Sequence, residues 1–376
     1  MNDPRIRGLC PPQFTEARSA FAANFAEGKE LGARFTLALQ GEIILDLIGG
    51  WADRAETVLF AEDTLTPIFS TTKALAGFMV ARLVGQGRLD YGQRVADLWP
   101  EFAQAGKGAV TVEQALSHQA GLVGLAEPLQ STDWFDWDLI CSRLAAMTPL
   151  WPPGSASGYH PVTFGYLAGE IFRRVDGRTI GQALREDITG PLGLDVWIGL
   201  PDSEHHRCAA MRRPPAMPNL GPVSEIRRLA FLTKGAAPGG RGEAAARRAE
   251  IPSTSGYATA AALAMLMAAM ANDGLIGGDR VLASGVAAEA SRQRIVGEDL
   301  VLPYVISWGA GFMRNQGLGI YGPGVKSFGH SGWGGSCAFA DPERGLSGAY
   351  VMNRQSADLI ADPRARRIIE AAYSAL

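Results

Sequence analysis

In the stretch "PIFSTTKALAGFMVARL", Ser70 precedes Lys73 by three residues, where an apolar-periodic segment begins. Residues three apart share a helix face, so the hydroxyl and the amine come within hydrogen-bond reach. A serine hydroxyl is a poor nucleophile until a neighbouring base accepts its proton. A lysine serves as that base only if burial or nearby positive charge lowers its pKa from about 10.4. Ile68, Phe69, Ala74, Leu75, Phe78 and Met79 surround the pair, which favours a semi-buried amine. The competing reading is a capped helix start with a lysine in water, and the pair alone does not decide between them.

Two further stretches do. "PPGSASGYHPVTFGYLAGEI" sets Tyr159 after a Gly/Ser-rich turn and directly before a helix. "FGHSGWGGSCAFADPERG" sets His330, Ser331 and Gly332 on an expected strand, followed by Trp333, Gly334 and Gly335. With "LSHQAGL", the order and spacing of these motifs resemble the serine β-lactamase-like superfamily: class C β-lactamases, DD-peptidases and the family VIII carboxylesterases. The resemblance covers nearly the whole chain. It implies Ser70 as acyl-accepting nucleophile, with Lys73 and Tyr159 sharing the base role and Tyr159 as a phenolate-like acceptor or proton relay. A cation beside the phenol would lower its pKa, and the two groups would titrate as a coupled pair. The resemblance further implies an oxyanion hole from the backbone N–H groups of Ser70 and Trp333. His330, Ser331, Gly332, Gly334 and Gly335 would flank the substrate, the glycines because close approach to backbone needs small residues.

Two departures from the penicillin-recognising pattern stand out. Tyr159-His160-Pro161 replaces Tyr-x-Asn, and His330-Ser331-Gly332 replaces Lys-Thr-Gly. Losing an amide and a permanent charge argues against a dedicated β-lactamase, whereas an uncharged ester needs neither. The expectation is therefore a serine carboxylesterase acting on short-chain esters. The alternatives are a β-lactamase or DD-peptidase-like amidase, an acyltransferase using the same acyl-serine, and a non-catalytic ligand-binding homologue. The last would be expected to have lost Ser70, Lys73 or Tyr159. His118 and His160 read as structural support, and Trp134, Trp137 and Trp151 as core packing rather than pocket walls.

These residues need a scaffold that brings positions 70, 159 and 330 together. Phe14, Ala17, Phe21 and Phe25 recur at helical spacing, and apolar runs on either side of Gln40-Gly41 signal a hairpin. Helices and loops fill the middle: "TVEQALSHQAGL" opens on a capping-box pattern at Thr111 and Gln114 and is expected to run to Gly121. "TFGYLAGEIFRRV" and the Ala-rich stretch closed by Asn272-Asp273-Gly274 are further helices. The segment 235–250, rich in Gly and Arg, reads as a mobile surface loop. Strands return after residue 300, before a last helix carrying Ile368 and Ile369. The fold class is thus α+β: an antiparallel sheet from both chain ends, flanked by N- and C-terminal helices, with an inserted mostly helical lobe. The expected domains are 1–66 with 252–376, and 67–251, with the cleft between them.

The 376 residues carry 35 basic and 38 acidic side chains, a balance that points to neither nucleic acid nor an anionic membrane. The expected partner is a small-molecule ester, with no cofactor and no metal, and the oligomeric state left open. "EHHRC" (His205, His206, Cys208) has metal-like letters, but adjacent histidines point apart. Four scattered cysteines and an N-terminus without an apolar core segment lead to the expectation of a cytoplasmic protein.

Overall fold

The computed structural model describes residues 5–240 and 242–376. Its largest element is an eight-stranded antiparallel sheet. The strands, in chain order, are β1 Gly32–Leu39, β2 Glu42–Gly50, β3 Ile295–Glu298 and β4 Val305–Trp308. They continue with β5 Met313–Arg314, β6 Phe328–Ser331, β7 Cys337–Asp341 and β8 Leu346–Met352. Their order in space is β2-β1-β8-β7-β6-β5-β4-β3. The early hairpin therefore joins the late strands through β1 and β8, where Phe35 lies opposite Tyr350. The hairpin closes in two residues, Gln40 at φ 50° and Gly41 at φ 81°. Positive φ at both positions is the primed turn whose twist matches a hairpin.

Alternation along the strands sorts side chains by size. Phe35, Leu37, Phe339, Tyr350 and Met352 share a core with Phe14, Phe21, Ile368 and Ile369. That face is covered by α1 (Thr15–Ala26) and by the last helix (Pro363–Tyr373). On the other face Ala338, Ala340, Ala349 and Val351 meet the Ala-rich helix Ala260–Ala271. Small residues on both partners let that helix lie close to the sheet, and Ser347 Oγ donates to Ala264 O at 2.8 Å. A helix apolar on every side must be buried on every side. Thr259 caps it, accepting from Ala262 N at 3.2 Å.

The helices that position the site are α2 (Thr72–Gly85), α3 (Trp137–Ala146), α4 (Thr163–Asp176), α5 (Ala260–Ala271) and α6 (Pro363–Tyr373). No described helix is long and apolar enough to cross a membrane. Three details differ from the sequence reading. The capping box at Thr111 and Gln114 forms, but its helix spans only Val112–Leu116. It stops short of Gly121 because His118 takes φ 63° and turns its ring against Trp308, 4.3 Å between centroids. A small sheet of Thr66–Pro67, Gly256–Ala258 and Val196–Ile198 has runs too short to show a period of two. The described part of 235–250 is tied down rather than loose. Gly235 O accepts from Trp134 Nε1 at 2.7 Å, Gly239 N donates to Ser131 O at 3.0 Å, and Ala244–Arg248 is a short helix.

Candidate active site

Ser70 sits in a 3₁₀ turn, Phe69–Thr71, that runs directly into α2. Phe69, the residue before it, has φ 47°, a left-handed backbone that costs an aromatic residue on the order of 1–3 kcal/mol. The surroundings over-determine the turn. Ile68 N donates to Gly256 O at 2.9 Å, and Gly256 N donates to Thr72 Oγ1 at 2.9 Å. Thr72 Oγ1 in turn donates to the carbonyl of Phe69. A Cβ on Gly256 would meet Thr72 Oγ1 and press on Ile68, so this crossing requires glycine. Ser336 Oγ donates to Ile68 O at 2.8 Å and lies 3.1 Å from Thr71 Oγ1.

Lys73 is the second residue of α2, a helix with almost no solvent face, and is fully buried. Its Nζ is 3.2 Å from Ser70 Oγ, 2.8 Å from Pro161 O and 3.2 Å from Ser253 O. No carboxylate pairs with it among the described residues, and burial drives its pKa well below the ordinary lysine value. A neutral amine has two N–H donors and one lone pair. The two carbonyls take the donors, which leaves the lone pair facing the Ser70 hydroxyl. Neither carbonyl carries a side-chain signal, so neither can be read from residue types.

Tyr159 completes the cluster. Its hydroxyl is hydrogen-bonded to Ser70, and Lys73 Nζ lies 4.7 Å from its ring centroid. The expected lowering of the phenol by a neighbouring cation is not found. Burial pushes its pKa up, only partly offset by the bond to Ser70. The physical reason is that burial of the phenol outweighs every other influence on it, and the amine beside it is desolvated as well. The phenol is therefore a proton carrier in this state, not a phenolate.

Tyr159 is held from behind by a residue that the sequence reading missed. Buried Asp299 accepts from Tyr159 N at 2.9 Å, Val301 N at 3.0 Å, Leu302 N at 2.9 Å and Trp308 Nε1 at 3.3 Å. The Tyr159 and Trp308 rings stack at 6.0 Å. His118 Nδ1 accepts from His160 N at 3.1 Å, and His160 Nε2 accepts from Leu122 N at 3.1 Å. Burial lowers the pKa of both rings, His160 to about 3. Both are thus neutral braces for the Tyr159 segment, as their sequence contexts imply.

His330 ends its strand beside the cluster. It is buried, and its pKa is lowered to about 3 by that burial and by Lys73. Its Nδ1 is 2.8 Å from Ser331 O, an acceptor only, so Nδ1 carries the proton. Nε2 is then a bare lone pair, with no hydrogen-bond partner among the described residues. His330, Ser331 and Trp333 line the same cavity as Ser70 and Tyr159, about 340 Å³ in volume. Gly332, Gly334 and Gly335 do not line it, contrary to the sequence expectation. They shape the turn behind it. Gly332 N donates to Ser336 O at 2.7 Å, and a Cβ there would strike Ile68 O. Gly334 and Gly335 take φ 90° and 131°, and Arg364, buried between Glu30 and Asp362, donates to Gly334 O at 2.7 Å.

Trp134 and Trp137 donate to Gly235 O and Glu170 Oε2, Trp151 to Ala156 O, and none of the three lines the Ser70 cavity. His205 and His206 each bond a backbone carbonyl, Leu200 O and Ser203 O.

This fold, with serine, buried lysine and tyrosine meeting at the base of a cleft, defines a serine hydrolase of the β-lactamase-like class. The Beta-lactamase family profile matches residues 17–373, and the chain belongs to that family. It is 34% identical over 371 residues to the esterase/beta-lactamase LipL of Mycobacterium tuberculosis, covering 95% of this chain and 85% of that one. Among solved structures it is similar to a penicillin-binding protein homologue from Caulobacter crescentus, with TM-score 0.97 and 61% identity over 99% and 100% of the two chains. It is also similar to a family VIII carboxylesterase, with TM-score 0.91 and 44% identity over 99% and 100%.

Proposed function

We propose that the protein is a carboxylesterase working through an acyl-enzyme on Ser70. The observation that carries this reading is the charge of the cavity: among the described residues no Asp, Glu, Lys or Arg lines it, and its walls include Leu220, Phe231, Leu302 and Met313. A β-lactam brings a carboxylate next to its leaving nitrogen, and that anion would be desolvated here without a partner. An ester with an apolar alcohol meets no such penalty. The esterase names borne by the two relatives above agree with it.

In the proposed cycle, neutral Lys73 takes the Ser70 proton as Oγ bonds to the acyl carbon. The backbone N–H groups of Ser70 and Trp333 receive the oxyanion. Tyr159 gives its phenolic proton to the departing alkoxide and recovers one from the Lys73 ammonium. Water then repeats the sequence in reverse, and the acid leaves.

The test is hydrolysis of 4-nitrophenyl acetate and butyrate by the wild type and Ser70→Ala, with nitrocefin alongside. Ester turnover that disappears with the hydroxyl is expected. Equal rates for the two proteins would remove the proposal, and nitrocefin turnover at ester-like efficiency would replace it with an amidase.

A further inference from the structure

The Ser70 cavity has a neighbour. Phe69, Met217, Thr254 and Trp333 line it and also line a second cleft of about 740 Å³. Two of these four flank the acylation point, Phe69 by adjacency to Ser70 and Trp333 by its place in the oxyanion turn. A group esterified to Ser70 therefore has open space on both sides.

The two spaces differ in charge. Arg54, Arg213 and Arg247 line the second cleft, and among the described residues no Asp or Glu does. None of these three forms an ion pair among the described residues, whereas Arg34, Arg178, Arg207 and Arg364 are each held by carboxylates. Arg54 Nε donates to Met211 O at 2.9 Å and Arg247 Nη1 to His205 O at 3.1 Å, which fixes two of the guanidinium groups with donors to spare. Arg213 has no side-chain hydrogen bond or ion pair among the described residues. A planar guanidinium fork matches a carboxylate in two parallel bonds, and three of them in one cleft make a field for an anion.

Proton delivery assigns the two sides. The leaving oxygen must reach the Tyr159 hydroxyl, and Tyr159 and His330 line the apolar cavity but not the arginine cleft. The alcohol therefore departs on the apolar side, and the acyl chain runs past Trp333 into the other. Resting on the esterase reading, we infer that the preferred acyl group carries a terminal carboxylate, received by Arg54, Arg213 and Arg247. The reaction forms the Ser70 acyl ester as the bond to the alcohol oxygen breaks. Water then forms the second carboxylate as the Ser70 ester breaks, giving an apolar alcohol and a dicarboxylate. A β-lactam carboxylate, attached on the leaving-group side, does not reach these arginines.

The test compares mono-4-nitrophenyl suberate with 4-nitrophenyl octanoate, which have the same chain length and differ in the terminal charge. Wild type should favour the suberate by about tenfold in kcat/KM at low salt, the worth of one charge-assisted hydrogen bond. That ratio should shrink as salt rises, and in Arg213→Gln and Arg54→Gln/Arg213→Gln/Arg247→Gln. Arg213→Gln breaks no internal bond, so it reports even if the triple variant folds poorly. Turnover of both esters with a ratio of one or less, or a ratio unmoved by Arg213→Gln and salt alike, would overturn the inference and leave the esterase standing. Turnover of neither would overturn both.

Discussion

Thr71 and Ser336 join hydroxyl to hydroxyl at 3.1 Å across 265 positions of chain. Because Ser336 also donates to Ile68 O and accepts Gly332 N through its carbonyl, the turn holding Ser70 and the turn holding Trp333 are one hydrogen-bonded unit. The spacing of the two proposed oxyanion donors is set there. Ser336→Ala removes both side-chain bonds but keeps the carbonyl contact. It should lower stability by about 1 kcal/mol and reduce kcat more than it raises KM. Thermal melts and ester kinetics on the same preparations check this.

Gly332 is the steric side of that junction. A Cβ there would collide with Ile68 O and Ser336 Oγ, and backbone cannot yield as a flexible side chain does. Gly332→Ala should cost about 1–3 kcal/mol of stability, as overpacking does, and separate the two turns. The expected readout is a lower denaturant midpoint together with slower acylation in a stopped-flow burst.

Lys73 must be neutral to accept a proton, so activity should fall as pH drops through its lowered pKa. His160 and His330, lowered to about 3, are already neutral at and above pH 5 and add no limb there, and burial lowers His118 as well. The kcat/KM profile is expected to show a single acid limb, lying below the ordinary lysine range and lost in Lys73→Ala together with about 10²–10⁴ of the rate. The same shift acts on stability. The folded amine binds its proton less tightly than the unfolded one, so between the two pKa values stability rises with pH.

Tyr159→Phe removes one hydroxyl and leaves the ring stack on Trp308 in place. The loss should fall on kcat, by about 10²–10³, with KM little changed. Esters with better leaving groups should suffer less, because an alkoxide that needs no proton needs no Tyr159. A series of substituted phenyl butyrates measures that slope.

Asp299 supports Tyr159 without touching substrate. Asp299→Ala strands three buried backbone N–H groups, those of Tyr159, Val301 and Leu302, and each costs about 1–3 kcal/mol. Asp299→Asn can keep Oδ1 as acceptor for all three and should recover most of the stability. Rescue of kcat by Asn but not by Ala identifies a positioning role.

Much of this was legible in the sequence. The Ser70, Lys73 and Tyr159 cluster could be placed because nucleophile, base and relay have distinctive residue types in a fixed order, and the sheet because long alternating runs flank a two-residue turn. What escaped was carried by backbone. The carbonyls of Pro161 and Ser253 orient Lys73, and since every residue has a carbonyl, only the fold decides which ones meet the amine. Asp299 escaped because one acid in "GEDLVLP" looks like any solvated turn residue until three N–H groups converge on it. Gly332, Gly334 and Gly335 were recognised as necessary but assigned to the wrong surface. A glycine run announces close approach without saying of what, and here it is backbone on backbone.

The pairing of β1 with β8 governs the order in which activity can arise during synthesis. Ser70 and Lys73 leave the ribosome early, but Trp333, Ser336 and the strand that seals the sheet follow much later in the chain. A nascent polypeptide therefore carries its nucleophile long before it carries the second of the two proposed oxyanion donors. The proposed oxyanion pair waits on the synthesis of Trp333 and on the closing of β8 against β1.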